Sequence, residues 1–270
     1  MRHLIKSITL AATAALLTAS CATSPTGQRQ LSLVSDSQMA SLGASAYSDM
    51  KKSIPISTDP RATAYVRCIA NAITTELSDN QSWEVTVFDD DQVNAFALPG
   101  GKIGVYTGLL KVAETPDQLA AVMGHEVAHV LANHGKARYS ANIAGQAGLL
   151  AGQILIGASN SSNKRGAMAA LGIGLQFGVM MPYGRSHETE ADILGLDLLA
   201  KAGFDPRAST QLWRNMAKAN PGAPPEFMST HPAPTTRISN LQNRMPKAMS
   251  LYQQARNSGR TPNCRAPAQV

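Results

Sequence analysis

GHEVAHVLANHG, residues 124 to 135, sets His125 and His129 four positions apart with Glu126 beside the first. On an α-helix each residue advances about 100°, so the two imidazoles stand roughly 40° apart on one face and can reach a common point. His134 falls about 180° from His125 on the same helix and cannot join them. The flanks predict that helix. Thr115 as N-cap, Pro116 in the first turn and Gln118 in a capping-box position begin it, and Gly135 supplies its stop.

Two imidazoles on one helix face suit a divalent metal, and a catalytic zinc takes three protein ligands while leaving a fourth position for water. HETEADILGLDLLA, residues 187 to 200, offers the third donor. Glu188 and Asp192 share a helix face at i and i+4, whereas Glu190 points about 200° from Glu188 and reads as a solvated or ion-paired carboxylate. His187 competes as a donor but faces elsewhere. One Zn2+ per chain is therefore expected on His125, His129 and Glu188. Asp192 stands behind as an acceptor that orients a ligand histidine. Glu126, beside the metal rather than on it, is placed to take a proton from bound water.

Working outward, SDSQMASLGASAYSDMKK (35 to 52) and PRATAYVRCIANAITTEL (60 to 77) read as helices, and WEVTVFD (83 to 89) changes to a strand period. VNAFALPGGKIGVYTG (93 to 108) has the form of two strands joined through Pro99, Gly100 and Gly101. Further helices are expected at 186 to 201, 206 to 219 and 233 to 245. The fold class is α+β and predominantly helical, with a small sheet beside the HExxH helix. Residues 141 to 181 form two apolar arms around SNSSNKRG (159 to 166). They read as a helical hairpin packed on the core, with a hairpin dipping into a membrane as the alternative. Each arm is too short to span a bilayer.

The N-terminus reads as an export leader: MRHLIK is cationic, ITLAATAALLTAS is apolar, and a cysteine follows. LLTASC resembles a bacterial lipobox, with Thr18 departing from it. The likeness implies a signal peptide over 1 to 20 and diacylation of Cys21, and Ala22 fits sorting to an outer membrane. An ordinary secretory signal with Cys21 incidental is the alternative. Residues 21 to 34, which include the polar TSPTGQRQ, read as a lipid-anchored tether, 35 to 250 as the folded domain, and 251 to 270 as a loosely held tail. Cys68 and Cys264 remain, an even pair in an oxidising compartment, and a disulfide between them is expected. The formal charge of +6 includes Arg2 and Lys6 of the leader. Scattered Lys and Arg without interleaved aromatics exclude a nucleic-acid stripe, so no nucleic-acid partner is expected.

HEVAH followed by E-x-x-x-D, with NAFALPGGKIGVYTGLL before them and THPAPTTRI after them, resembles the zinc metallopeptidases that include HtpX, periplasmic lipoproteins of the LoiP and BepA kind and the CAAX prenyl proteases, peptidase family M48. The likeness covers roughly 60 to 245. It implies a zincin-like metallopeptidase domain, zinc on His125, His129 and Glu188, a catalytic glutamate at Glu126 and a supporting acid at Asp192. It also implies that the His231 loop approaches the active site, where the imidazole either stabilises an oxyanion or fills the open metal position and holds the enzyme inactive. Asn94, Ala95, Phe96 and Ala97 are the candidate substrate-binding strand, because an extended peptide can add to a sheet edge through its main chain.

These readings converge on a zinc-dependent endopeptidase of the bacterial envelope. It would sit in the periplasm, anchored to the outer membrane, and serve protein quality control by removing misfolded or misassembled proteins. The outer-membrane assembly machinery is a candidate partner. An envelope chaperone or assembly factor that cuts seldom is the alternative. Prenyl-protein processing fits poorly with an exported chain that lacks clear spanning helices.

Overall fold

The computed structural model describes residues 21–78, 81–158, 184–219, 226–231 and 235–267. The leader and the SNSSNKRG turn with the second apolar arm lie outside them. The described chain divides into two compact units, 37–132 with 184–267 and 21–36 with 133–158.

In the larger unit, α1 (Asp36–Ser53) and α2 (Pro60–Thr74) precede a three-stranded sheet of β3 (Glu84–Phe88), β4 (Ala95–Leu98) and β5 (Lys102–Tyr106). Asp59 caps α2 by accepting from the Arg61 N–H at 2.8 Å, and Pro60 fits the first turn, where no donor is needed. The spatial order is β3-β5-β4, with β3 parallel and β4 antiparallel to β5. The tight β4–β5 connection uses Gly100 and Gly101 at φ 84° and 71°, a left-handed backbone that glycine adopts without steric cost. Tyr47 of α1 packs edge-on to Phe88 and Phe96 on the sheet. Its hydroxyl bonds Thr86 Oγ1 at 2.6 Å.

A short helix, α3 (Thr107–Val112), leads into α4 (Pro116–Leu131). Thr115 Oγ1 accepts from the Gln118 N–H at 3.2 Å, while the Gln118 side chain reaches back to the Glu114 N–H at 2.8 Å, one residue before the cap. The helix ends before the expected stop. Asn133 takes φ 55°, a conformation that asparagine tolerates, and Gly135 falls in the next helix. α6 (Arg185–Lys201), α7 (Ala208–Ala219), α8 (Glu226–Thr230) and α9 (Thr235–Asn257) complete this unit. α9 runs past the expected end at 245 with Pro246 inside it. Buried Ala248 and Ala255 hold the later turns against the core.

The main core joins Val66, Ile69 and Ile73 of α2, Val105 of the sheet, Met123 of α4 and Leu199 of α6. The tail is held rather than loose: Cys264 is buried and bonded to Cys68, with 5.6 Å between their Cα atoms. Arg260 adds an ion pair to Glu76.

In the smaller unit, β1 (Cys21–Thr23) pairs antiparallel with β2 (Arg29–Leu31), and α5 (His134–Ala158) follows. The stretch expected as a tether is therefore an ordered hairpin. Ser24 closes its turn, accepting from the Gly27 N–H with its carbonyl and from the Gln28 N–H with its hydroxyl. The turn chemistry of SPTG outweighs its polarity.

Candidate active site

α4 carries Gly124, His125, Glu126 and His129, and α6 carries Glu188, Asp192 and Gly195. The helices touch at the two glycines, where a Cβ on either would meet the other's backbone within 3 Å. This close crossing lets side chains one or two turns away converge. His129 Nε2 lies 3.0 Å from His125 Nε2. Glu188 Oε2 is 3.4 Å from His125 Nε2, and Glu188 Oε1 is 3.5 Å from His129 Nε2.

A fourth donor arrives from the segment after α8. His231 Nδ1 is 2.9 Å from Glu188 Oε1 and 3.3 Å from His125 Nε2. The four donor atoms lie within 4.8 Å of one another, and all four residues are buried. Ligands at zinc distances of about 2.1 Å on a tetrahedron stand about 3.4 Å apart, so the separations here suit that ion. Charge agrees with distance. Glu188 and Asp192 are buried carboxylates that share the guanidinium of Arg237, and Glu126 is buried as well, so a divalent cation would offset negative charge there.

Asp192 stands where the helix spacing put it. Its Oδ1 lies 3.0 Å from His125 Nδ1, an acceptor that would keep a proton on that nitrogen and leave Nε2 to a bound metal. Burial opposes charge on His125, but the Asp192 and Glu188 hydrogen bonds outweigh it and push the imidazole up to about 9. Burial likewise works against ionised Glu188, which hydrogen bonds from His125 and His231 nevertheless hold well below the usual carboxylate range. Glu126 differs. Burial raises it despite the nearby imidazoles, the Ala97 backbone N–H is its hydrogen-bond donor, and its Oε1 is buried without a hydrogen-bond partner.

The strand β4 runs beside α4. Asn94 gives its carbonyl to the Tyr106 N–H at 3.1 Å, and Phe96 packs on Phe88 and Tyr106. Since backbone groups alternate sides along a strand, Ala95 shares with Ala97 the side away from β5. Of the other carboxylates and imidazoles, Glu190 is buried instead of solvated. His187 lies outside the donor cluster, and His134 is the first residue of α5.

Arg237 escaped the sequence reading. It is 1% exposed and joins most of the site. Its Nε and Nη2 donate to Asp192 at 2.7 and 2.6 Å, and its Nη1 donates to the His231 carbonyl at 3.2 Å and lies 2.8 Å from Glu188 Oε2. Its guanidinium covers the Trp213 ring at 4.3 Å. Phe227, also missed, stacks on His231 with centroids 4.7 Å apart. The one available signal was an arginine six residues after the histidine in STHPAPTTR, and no periodicity marks it.

The model of Peptidase family M48 matches residues 59–245. Mitochondrial metalloendopeptidase OMA1 of Schizosaccharomyces pombe is 36% identical over 189 residues, which is 69% of this chain and 54% of that protein. The beta-barrel assembly-enhancing protease of Yersinia pestis is 30% identical over 217 residues, 77% of this chain and 44% of that protein. Its Escherichia coli (strain K12) counterpart is 29% identical over 203 residues, 72% of this chain and 41% of that protein. The chain thus spans about half the length of these relatives.

Proposed function

This chain belongs to peptidase family M48, and from that premise we propose that it is a zinc-dependent endopeptidase whose site His231 closes. The convergence of His125, His129 and Glu188 on one point, with Glu126 beside it, carries the reading. Bound zinc would supply a water acidified to a pKa of about 7 and polarise the scissile carbonyl. Glu126, whose burial favours proton uptake, takes the proton and returns it to the leaving amine. Asp192 keeps His125 in the ligating tautomer, and Arg237 keeps Asp192 in place.

An extended substrate segment would lie along β4, forming main-chain hydrogen bonds with Ala95 and with the Ala97 carbonyl while Asn94 and Phe96 hold the strand to the sheet. The position of His231 Nδ1 among the donors supports a plug over an oxyanion stabiliser. With a metal bound it would occupy the position that water needs, and the donor cluster is buried. Withdrawal of the His231 segment is then a condition of turnover.

The leader and Cys21 support an envelope setting, with a diacylated Cys21 at the outer membrane and unfolded or misassembled envelope proteins as substrates. The name of the Yersinia pestis relative makes the assembly machinery for outer-membrane proteins a reasonable partner to test. Casein cleavage abolished by a chelator and restored by zinc tests the enzyme. Casein held but left uncut under both conditions would favour the chaperone reading. Membrane fractionation of wild type beside Cys21→Ser tests the anchor.

A further inference from the structure

Helix α5 carries an apolar stripe that the proposed chemistry leaves unused. Tyr139, Ile143 and Leu150 are 40%, 39% and 60% exposed. At about 100° per residue, Ile143 and Leu150 fall within about 40° of Tyr139, so three large apolar side chains leave one face. Single exposed hydrophobics are ordinary, but an aligned set marks an interaction surface.

The rest of the smaller unit says what covers it. The hairpin that begins at Cys21 is fixed to the same helix: the Leu33 N–H donates to Ser140 Oγ at 2.9 Å, and Lys136 Nζ pairs with Asp36 Oδ1 at 2.8 Å. Cys21 itself is exposed and outside the disulfide. Among the described residues of this unit, Arg29, Lys136 and Arg138 stand against Asp36, and from Tyr139 to Ala158 the helix has no charged residue. No described helix is long and apolar enough to cross a membrane. Cations at one end of a helix, large apolar side chains on one face beside the uncharged Gln146 and Gln153, and a hydropathy too low to span describe a helix that lies in a bilayer interface.

We propose that α5, with the hairpin carrying Cys21, lies on a bilayer surface bearing anionic headgroups, with Tyr139, Ile143 and Leu150 inserted at the acyl boundary. The phenol of Tyr139 suits the headgroup level. Two weak anchors then act together, since acyl chains at Cys21 and the stripe beside them are carried by one unit. The proposal takes its bilayer from the envelope reading and is independent of the zinc chemistry.

The test uses the mature chain with Cys21→Ser, which cannot be acylated, floated with vesicles of phosphatidylcholine and phosphatidylglycerol. The chain should float, and Ile143→Glu with Leu150→Glu should weaken binding about tenfold or more, with circular dichroism and zinc content unchanged. Failure of the Cys21→Ser chain to float, or equal flotation of the double variant, overturns the proposal. So does a double variant that floats normally but loses self-association or casein capture, because the stripe would then be a protein interface. Chelation that stops casein cleavage and leaves flotation intact keeps this proposal separate from the peptidase reading.

Discussion

Gly124 and Gly195 stand back to back where α4 crosses α6. A Cβ on Gly195 would lie 2.8 Å from the Gly124 carbonyl carbon, and a Cβ on Gly124 would lie 2.9 Å from the Gly195 carbonyl oxygen. The neighbours are main chain, which cannot swing aside as a flexible side chain would. Gly195→Ala should push the helices apart, cost about 1–3 kcal/mol and draw Glu188 away from His125. A lower melting temperature together with faster zinc loss to a chelator is the expected pair of results. Faster loss without destabilisation would point to a local effect instead.

Glu126→Gln should reduce casein cleavage about a thousandfold, within the range for a lost proton-transfer group, while metal analysis still finds one zinc per chain. Glu126 lies outside the donor cluster, so loss of zinc would reassign it as a ligand.

His231→Ala should raise peptidase activity, because it removes the imidazole whose Nδ1 lies 2.9 Å from Glu188 Oε1 and would compete with water for the metal. A fall in kcat with zinc retained would instead make His231 a stabiliser of the oxyanion.

Zinc loading should release protons at neutral pH. Without metal, His125 keeps its proton up to about 9 against an ordinary 6.5, and a ligand imidazole must be neutral. A pKa raised in the fold contributes stability that is fully present below the unfolded value and is lost as pH rises through the folded one. Chelated protein should therefore lose thermal stability between about pH 6.5 and 9, and zinc-loaded protein should not. Calorimetric titration in buffers of different ionisation heat counts the protons, and a count of zero would contradict the Asp192–His125 arrangement.

Cys68→Ser should cost about 2–4 kcal/mol, since the bridge closes a long loop, and should open the chain beyond Asn257 to proteolysis. Zinc content should be unchanged. Intact resistance of the tail would mean that Arg260 and the Cys264 packing hold it without the bond.

Helical periodicity by itself paired His125 with His129 on α4 and Glu188 with Asp192 on α6, because the 3.6-residue repeat dictates which side chains share a face, and the β4–β5 turn was legible in its glycines. Asn133 as the stop of α4 was hidden by the stronger signal of Gly135, and the first hairpin by its polar composition. Only the tertiary structure decided that His231 completes the donor set and that Arg237 ties it to Asp192, Glu188 and Trp213. Those contacts join helices far apart in the chain. Their geometry comes from how closely two glycines let helices approach and from which charge must be buried to balance another, and neither leaves a period in the sequence.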